Sequence, residues 1–299
     1  MSKQSGKAIR WVVFVLALAG LAAVFFGMVA ELQPRRELVE VADYGVWPEE
    51  AVETAAELPV QDGGRVKPFS TWAGFTMLRL HGARSMKLIG EDGKKVKLGP
   101  TEWMLDCLFR PRLALELPSF RVDDAAVLKA VGIESKAKRD RYSYLELEDG
   151  RQRLAELAAS YEQIPDKERE PLHRQLLALE YNVRTFEILI SHFAFARSEV
   201  SSLMELAPKL QAILSEAHND PDQVPPNVRE SLEHLMLLAS YGSSGLFVLP
   251  PEDPADKDWR SAGQRIMQVM RGELADPETA ITDIRSMELL VELEQADKR

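Results

Sequence analysis

Twenty consecutive residues without a charge, Trp11 to Ala30 (WVVFVLALAGLAAVFFGMVA), constrain this chain more than any other stretch. At about 1.5 Å per helical residue they span roughly 30 Å, the hydrocarbon thickness of a bilayer. Lys3, Lys7 and Arg10 precede them and no acid does. That bias keeps the short N-terminus, residues 1–10, in the cytoplasm and sends the rest across. A cleaved signal peptide is the competing reading. The apolar run is long for one, and a cut after Ala30 would put Met28 where a small residue is wanted. The sequence therefore predicts an uncleaved single-pass anchor over 11–30 in the inner (cytoplasmic) membrane, with the C-terminal part on its periplasmic side.

All 47 acids and 34 of the 37 bases follow the anchor, so the exported part carries −13. Such a charge argues against a nucleic-acid partner, which needs a basic footprint, and against a second, electrostatic hold on an anionic bilayer. The single cysteine, Cys107, allows no intrachain disulfide. It sits among apolar neighbours in Trp103-Met-Leu-Asp-Cys-Leu-Phe109 and reads as a small buried hydrophobe.

Residues 31–46 are polar, contain Pro34, and read as a linker. Residues 48–58 read as a helix, with proline and acids in its first turn. Asp62-Gly63-Gly64 marks a tight turn between two short β-prone pieces. Ser70 or Thr71 can cap a helix from 72 to 79 or 81, closed by Gly82. Its apolar positions Trp72, Phe75, Met77, Leu78 and Leu80 cover a broad face and predict burial. Residues 86–98 alternate apolar and charged about Asp92-Gly93 and read as a hairpin. A helix over 102–109 stopped by Pro111, a strand over 117–122 and a helix over 125–131 capped by Asp123 or Asp124 follow. Tyr142-Ser-Tyr-Leu145 is too short to assign.

From 151 onward the pattern is helix after helix: 151–163, 172–197, 200–218, 229–241, 262–273 and 277–294. The long second one would carry its core face on Leu176, Leu179, Tyr181, Phe186, Ile188, Leu189 and Phe193. Residues 246–254 are extended and stiffened by proline. The expected architecture is mainly α with a small α+β lobe: linker 31–46, α+β lobe 47–150, helical body 151–299.

Signatures of catalysis are missing. There is no P-loop, no H-E-x-x-H and no nucleophile elbow, and one cysteine cannot make a C-x-x-C-H haem site. The histidines, at 81, 173, 192, 218 and 234, show no ligand-type spacing. His192, in an apolar run, reads as a satisfied core residue rather than a haem or metal ligand. His81, near a helix end, suits the dipole there. The densest group of special residues is Gln61, Asp62, Gly63, Gly64, Arg65 and Lys67. Its free turn amides and two cations suit an anionic group such as a propionate or phosphate, and equally a structural glycine turn on an acidic surface.

The stretch Leu58-Pro-Val-Gln-Asp-Gly-Gly-Arg-Val-Lys-Pro-Phe-Ser-Thr71 resembles the "VQDGGRxKPxxT" opening of an extracytoplasmic region in bacterial cytochrome c biogenesis proteins of the CcsA/ResC type, the system II haem-attachment machinery. Pro100-Thr-Glu-Trp-Met-Leu105 resembles that family's "P-x-x-W-x-L" helix start. The helix ending at Phe193 to Arg197 and the proline-rich Leu249-Pro-Pro-Glu-Asp-Pro254 fall in the family's order. The similarity covers about residues 55 to 265. It implies an extracytoplasmic domain detached from the polytopic, tryptophan-rich, haem-handling core, which would be a separate chain. No haem ligand carries over, since this chain has one apolar span and its five tryptophans are dispersed.

The resemblance thus implies a membrane-anchored accessory subunit that binds and positions rather than catalyses. A polytopic haem-handling protein would be its partner, apocytochrome c a second one, and haem would be held through the partner. Gln61, Asp62, Arg65 and Lys67 would make the contact, with Trp103 as a packing anchor. A membrane-tethered scaffold of another envelope complex is the alternative. A hydrolase with an unrecognised carboxylate pair is a third class, which the sequence does nothing to favour.

Overall fold

A computed structural model describes residues 39–41, 44–90, 93–136, 140–197, 226–251, 253, 255–271, 273 and 277–296. The expected anchor over 11–30 and the expected helix over 200–218 lie outside them. Among the described residues no helix is long and apolar enough to cross a membrane.

The protein is mainly helical with small sheets. Strand β1 (Val39–Glu40) runs parallel to β4 (Met86–Ile89), which pairs antiparallel with β5 (Lys95–Leu98). Part of the stretch expected to be linker is therefore built into the fold. Val41 is fully buried, and Tyr44 reaches the core just beyond it. Helix α1 (Glu49–Glu57) leads into the hairpin β2 (Pro59–Asp62) and β3 (Arg65–Pro68).

Helix α2 (Phe69–His81) starts earlier than expected. Pro68 takes the N-cap position, so neither Ser70 nor Thr71 caps the helix, and Phe69 N–H donates to Leu58 O at 2.7 Å, closing the hairpin base. Its buried stripe is Phe69, Trp72, Ala73, Thr76, Met77 and Leu80. Phe75 and Leu78, expected to be buried, stand on the opposite face at 58% and 41% exposure. An apolar residue on every side of a helix does not tell which side is covered. Gly82, at φ +74°, closes the helix in the left-handed conformation as expected.

Helix α3 (Pro100–Phe109), with proline at its first position, is followed by the short α4 (Pro111–Ala114). Strand β6 (Phe120–Val122) pairs with β7 (Asp140–Tyr142), so the segment around Tyr142 that carried no assignment supplies a strand. Asp124 caps α5 (Ala125–Ala130) by accepting from Ala126 N–H at 2.9 Å. Helix α6 (Glu148–Glu162) packs on α7 (Pro171–Ser191). The expected lobe boundary at 150 falls inside α6, and one core runs across it. Trp103 of α3, Phe120 of β6, and Phe186 of α7 are all fully buried, and Phe120 meets Phe186 edge-on at 5.2 Å.

Helix α7 ends at Ser191, not at 197. Phe193 and Phe195 are both buried, and two residues apart they cannot share one helix face. The chain satisfies both by leaving the α-helix and forming a 3₁₀ turn, Phe195–Arg197. Tyr181 also departs from expectation. The buried stripe runs Leu176, Leu179, Val183, Phe186, Leu189, and Tyr181 lies two residues from its nearest members, so it points outward.

The C-terminal helices are α8 (Pro226–Tyr241), α9 (Ala262–Arg271) and α10 (Pro277–Ala296). Ser261 and Gln264 form a reciprocal cap at the start of α9, bonding each other's backbone N–H at 3.2 and 3.0 Å. Gly263 N–H donates to Gly242 O at 3.0 Å. A Cβ at Gly263 would lie inside the van der Waals shell of the Ala239 carbonyl oxygen. Because that neighbour is backbone, Gly263→Ala is expected to destabilise the fold by about 3 kcal/mol, the upper range of overpacking costs. A melting curve within a degree or two of wild type would show that α8 and α9 are not held this closely.

Candidate functional site

The hairpin β2–β3 closes through Gly63 and Gly64, at φ +60° and +72°. Positive φ at both turn positions is what a two-residue hairpin with right-handed strand twist requires, and glycine adopts it without strain. Asp62 faces Arg65 across the turn, Gln61 faces Val66, and Val60 faces Lys67. Lys67 Nζ donates diagonally to Asp62 Oδ2 at 2.7 Å. The pair is partly exposed and contributes little stability.

Gln61 is turned away from β3 and is fully engaged elsewhere. Its N–H donates to Phe247 O at 2.9 Å. Its side-chain Nε2 donates to Lys257 O at 2.6 Å, and its Oε1 accepts from Trp259 N–H at 2.9 Å. The segment it grips is itself doubled back: Leu249 and Arg260 exchange backbone hydrogen bonds at 3.1 and 2.8 Å. Within it Arg260 Nη2 donates to Asp256 Oδ2 at 2.8 Å. The Asp258 backbone amide, with Arg260 beside it, holds the Asp256 carboxyl below its ordinary value. Gln61 thus ties the glycine hairpin to Phe247 on one side of the proline-rich stretch and to Lys257 and Trp259 on the other, the last of them 198 positions away in sequence.

What the hairpin leaves free is Arg65 and Val66. Arg65 is exposed and meets no carboxylate among the described residues, while Val66 is 53% exposed. In this register Val66 sits opposite Gln61 in a non-hydrogen-bonded pair, so its N–H and C=O point away from β2. On that side β3 has no neighbouring strand among the described residues. The arrangement offers a short free strand edge, an apolar side chain and a cation to an extended segment of another molecule. Pro68 limits that edge at its far end.

Trp103 does not join this surface. It is fully buried, with Nε1 donating to Ser119 Oγ at 3.0 Å, and so cannot anchor a partner. Cys107 is buried, and burial first, then the Asp106 charge, pushes its thiol well above the ordinary value. His81 is buried with Nδ1 2.8 Å from Pro118 O. His192 is buried with Nδ1 3.3 Å from Ser244 O, and its Nε2 has no hydrogen-bond partner among the described residues. Among the described residues no three His, Cys, Asp or Glu side chains converge as a metal site.

The sequence reading missed a buried polar centre around Asp106. Its Oδ2 accepts from Tyr44 Oη–H at 3.0 Å and its Oδ1 from Trp47 Nε1–H at 2.8 Å, with Arg110 Nη1 3.5 Å away. The Arg110 guanidinium stacks on Trp47 at 3.7 Å and donates to Gly45 O at 2.6 Å. The signal was present: one acid on the buried side of an otherwise apolar helix demands partners.

Comparison with known proteins returns no matching family model, no matching curated protein and no matching solved structure.

Proposed function

We propose that this chain is a membrane-anchored, periplasmic accessory subunit of a cytochrome c haem-attachment complex, acting by binding and positioning rather than by catalysis. One observation supports the reading: the glycine hairpin, one block of the resemblance, is tied through Gln61 to Phe247, Lys257 and Trp259, which bracket the second block, the proline-rich stretch, in sequence. The hairpin keeps Arg65 and the Val66 edge outward. It would receive an extended segment of the polytopic haem-handling partner, while thioether chemistry would belong to the partner's haem and the cytochrome's own cysteines.

The test separates the two duties of the hairpin. Arg65→Gln with Val66→Thr removes the cation and the apolar tip but alters only exposed side chains and sets no like charge opposite Asp62, so stability is expected to stay within about 0.5 kcal/mol. Co-purification of a haem-containing membrane protein, and haem-stained c-type cytochromes in the cell, are expected to fall at least tenfold, the effect of losing about 1.4 kcal/mol of binding. Gln61→Ala is expected to weaken the fold instead, by about 1–2 kcal/mol, through two lost hydrogen bonds. Normal cytochrome staining in both the double variant and a deletion strain would sink the haem reading. If the variant also failed to pull down some other envelope protein, the scaffold reading would stand in its place.

A further inference from the structure

We propose that the outer face of the β1–β4–β5 sheet docks on the anionic phospholipid headgroups of the membrane in which the chain is held. This rests on the anchor reading of residues 11–30.

The argument begins with register. Met86, Leu88 and Leu98 are buried, with half-buried Val96 among them, so the opposite face of the hairpin presents Lys87, Lys95 and Lys97 to solvent. Lys87 stands directly across from Lys97, and Lys95 lies two residues along the same strand. Like charges placed opposite each other on a sheet oppose its formation. None of these three lysines meets a carboxylate among the described residues, although the chain carries 47 acids. The only acid on the described strands of this sheet is exposed Glu40, which lies on the same face, one strand from Lys95 across Ile89, so the face carries three lysines against one carboxylate. The body's net charge would argue against an electrostatic hold if it were evenly spread, and this face shows that it is not. Beyond roughly 8 Å of physiological salt the distant acids are screened, and the local lysines decide.

Chain length points to the same occupant. β1 is the first described strand after the apolar stretch, and it is built into this sheet by its pairing with β4. Eight residues, 31–38, separate it from Ala30. Fully extended they reach roughly 28 Å, so under the anchor reading this sheet cannot stand far from the headgroups. Next to it, Arg84, two positions before β4, stacks on the exposed ring of Phe75 at 5.2 Å. Arg84 also meets no carboxylate among the described residues. An arginine over an exposed aromatic suits the membrane–water boundary.

The test uses the full chain in nanodiscs, either of phosphatidylcholine or of the same lipid mixed with phosphatidylglycerol. Buried Cys107 leaves an engineered thiol as the labelling site. A fluorophore on Lys95→Cys is expected to be quenched by headgroup nitroxide lipids in the anionic discs and spared in the neutral ones. A label on Glu156→Cys of α6 is expected to be spared in both. A basic residue near an anionic surface is worth roughly a fivefold preference, so adding Lys87→Glu and Lys97→Glu should abolish the quenching. Equal quenching of both labels, or none at Lys95→Cys, overturns the proposal. So does shielding from aqueous iodide that grows with protein density without lipid quenching, which would report a second copy on this face. Discs that capture no protein sink the anchor and this inference together, whereas loaded discs with an unquenched label sink the lysine face alone.

Discussion

Asp106→Ala is expected to cost the protein about 3–5 kcal/mol, which is the scale for removing one partner of a buried ion pair. The Asp106 side chain is fully buried and Arg110 is 10% exposed. Deleting the carboxylate leaves the Arg110 charge without its neighbour, and the Tyr44 hydroxyl and Trp47 indole without an acceptor. Burial, with the Asp106 charge adding to it, raises the Tyr44 hydroxyl far above its ordinary value, so it acts as a donor at every relevant pH. Asp106→Asn keeps an acceptor in place and is expected to lose less, about 1–3 kcal/mol. For a body of this size the alanine variant should melt roughly 10 °C lower. Urea unfolding followed by near-UV circular dichroism gives the number, and limited proteolysis between Tyr44 and Trp47 shows whether that segment comes loose first. A loss under about 1 kcal/mol from the alanine variant would mean the centre is decorative, since a buried, satisfied network cannot be cut that cheaply.

The same residues show where the sequence was legible. Turns were readable because they depend on a few neighbours: Asp62-Gly63-Gly64 signalled a tight turn, Gly82 a helix stop, and Asp123 or Asp124 a cap for α5, of which the structure selects Asp124. The apolar character of α3 and Cys107 was readable for the same reason. Sidedness was not. Phe75, Leu78 and Tyr181 look like core residues by type, and only the packing of α2 and α7 decides that they face outward. Long-range pairing was hidden as well. Nothing local tells that β1 joins β4, that residues 140–142 pair with β6, or that Gln61 grips residues 257 and 259. Those contacts depend on loop closure over many residues, which no window of sequence carries. The hairpin therefore stood out as a site from its residue types, yet its division of labour came only from geometry. Gln61 binds the C-terminal segment, Asp62 and Lys67 satisfy each other, and Arg65 and Val66 stay exposed.

Mild acid is expected to weaken this fold through His192, and the direction follows from burial. The imidazole sits inside the protein beside Phe193, at 5.0 Å between ring centres, near the close approach of the Gly242 amide region to Gly263. Burial lowers its pKa from 6.5 to about 4, opposed only in part by the Ser244 carbonyl. The folded protein thus refuses a proton that the unfolded chain accepts. Above pH 6.5 neither state is charged at this position and its contribution to stability is intact. As the pH falls from 6.5 toward 4 the unfolded state gains the proton first and stability drains away, by about 3 kcal/mol in total at 1.36 kcal/mol per pH unit. Between pH 6.5 and 5, where most carboxylates remain ionised, the expected loss is about 2 kcal/mol. His192→Gln carries no such proton, so its stability should fall less over that interval by the same amount, whatever the other groups do. The His192 Cε1–H resonance should hold its neutral position down to about pH 5. Parallel stability curves for wild type and variant would show that His192 takes up its proton in the fold as readily as outside it, and that the ring is not sealed from water.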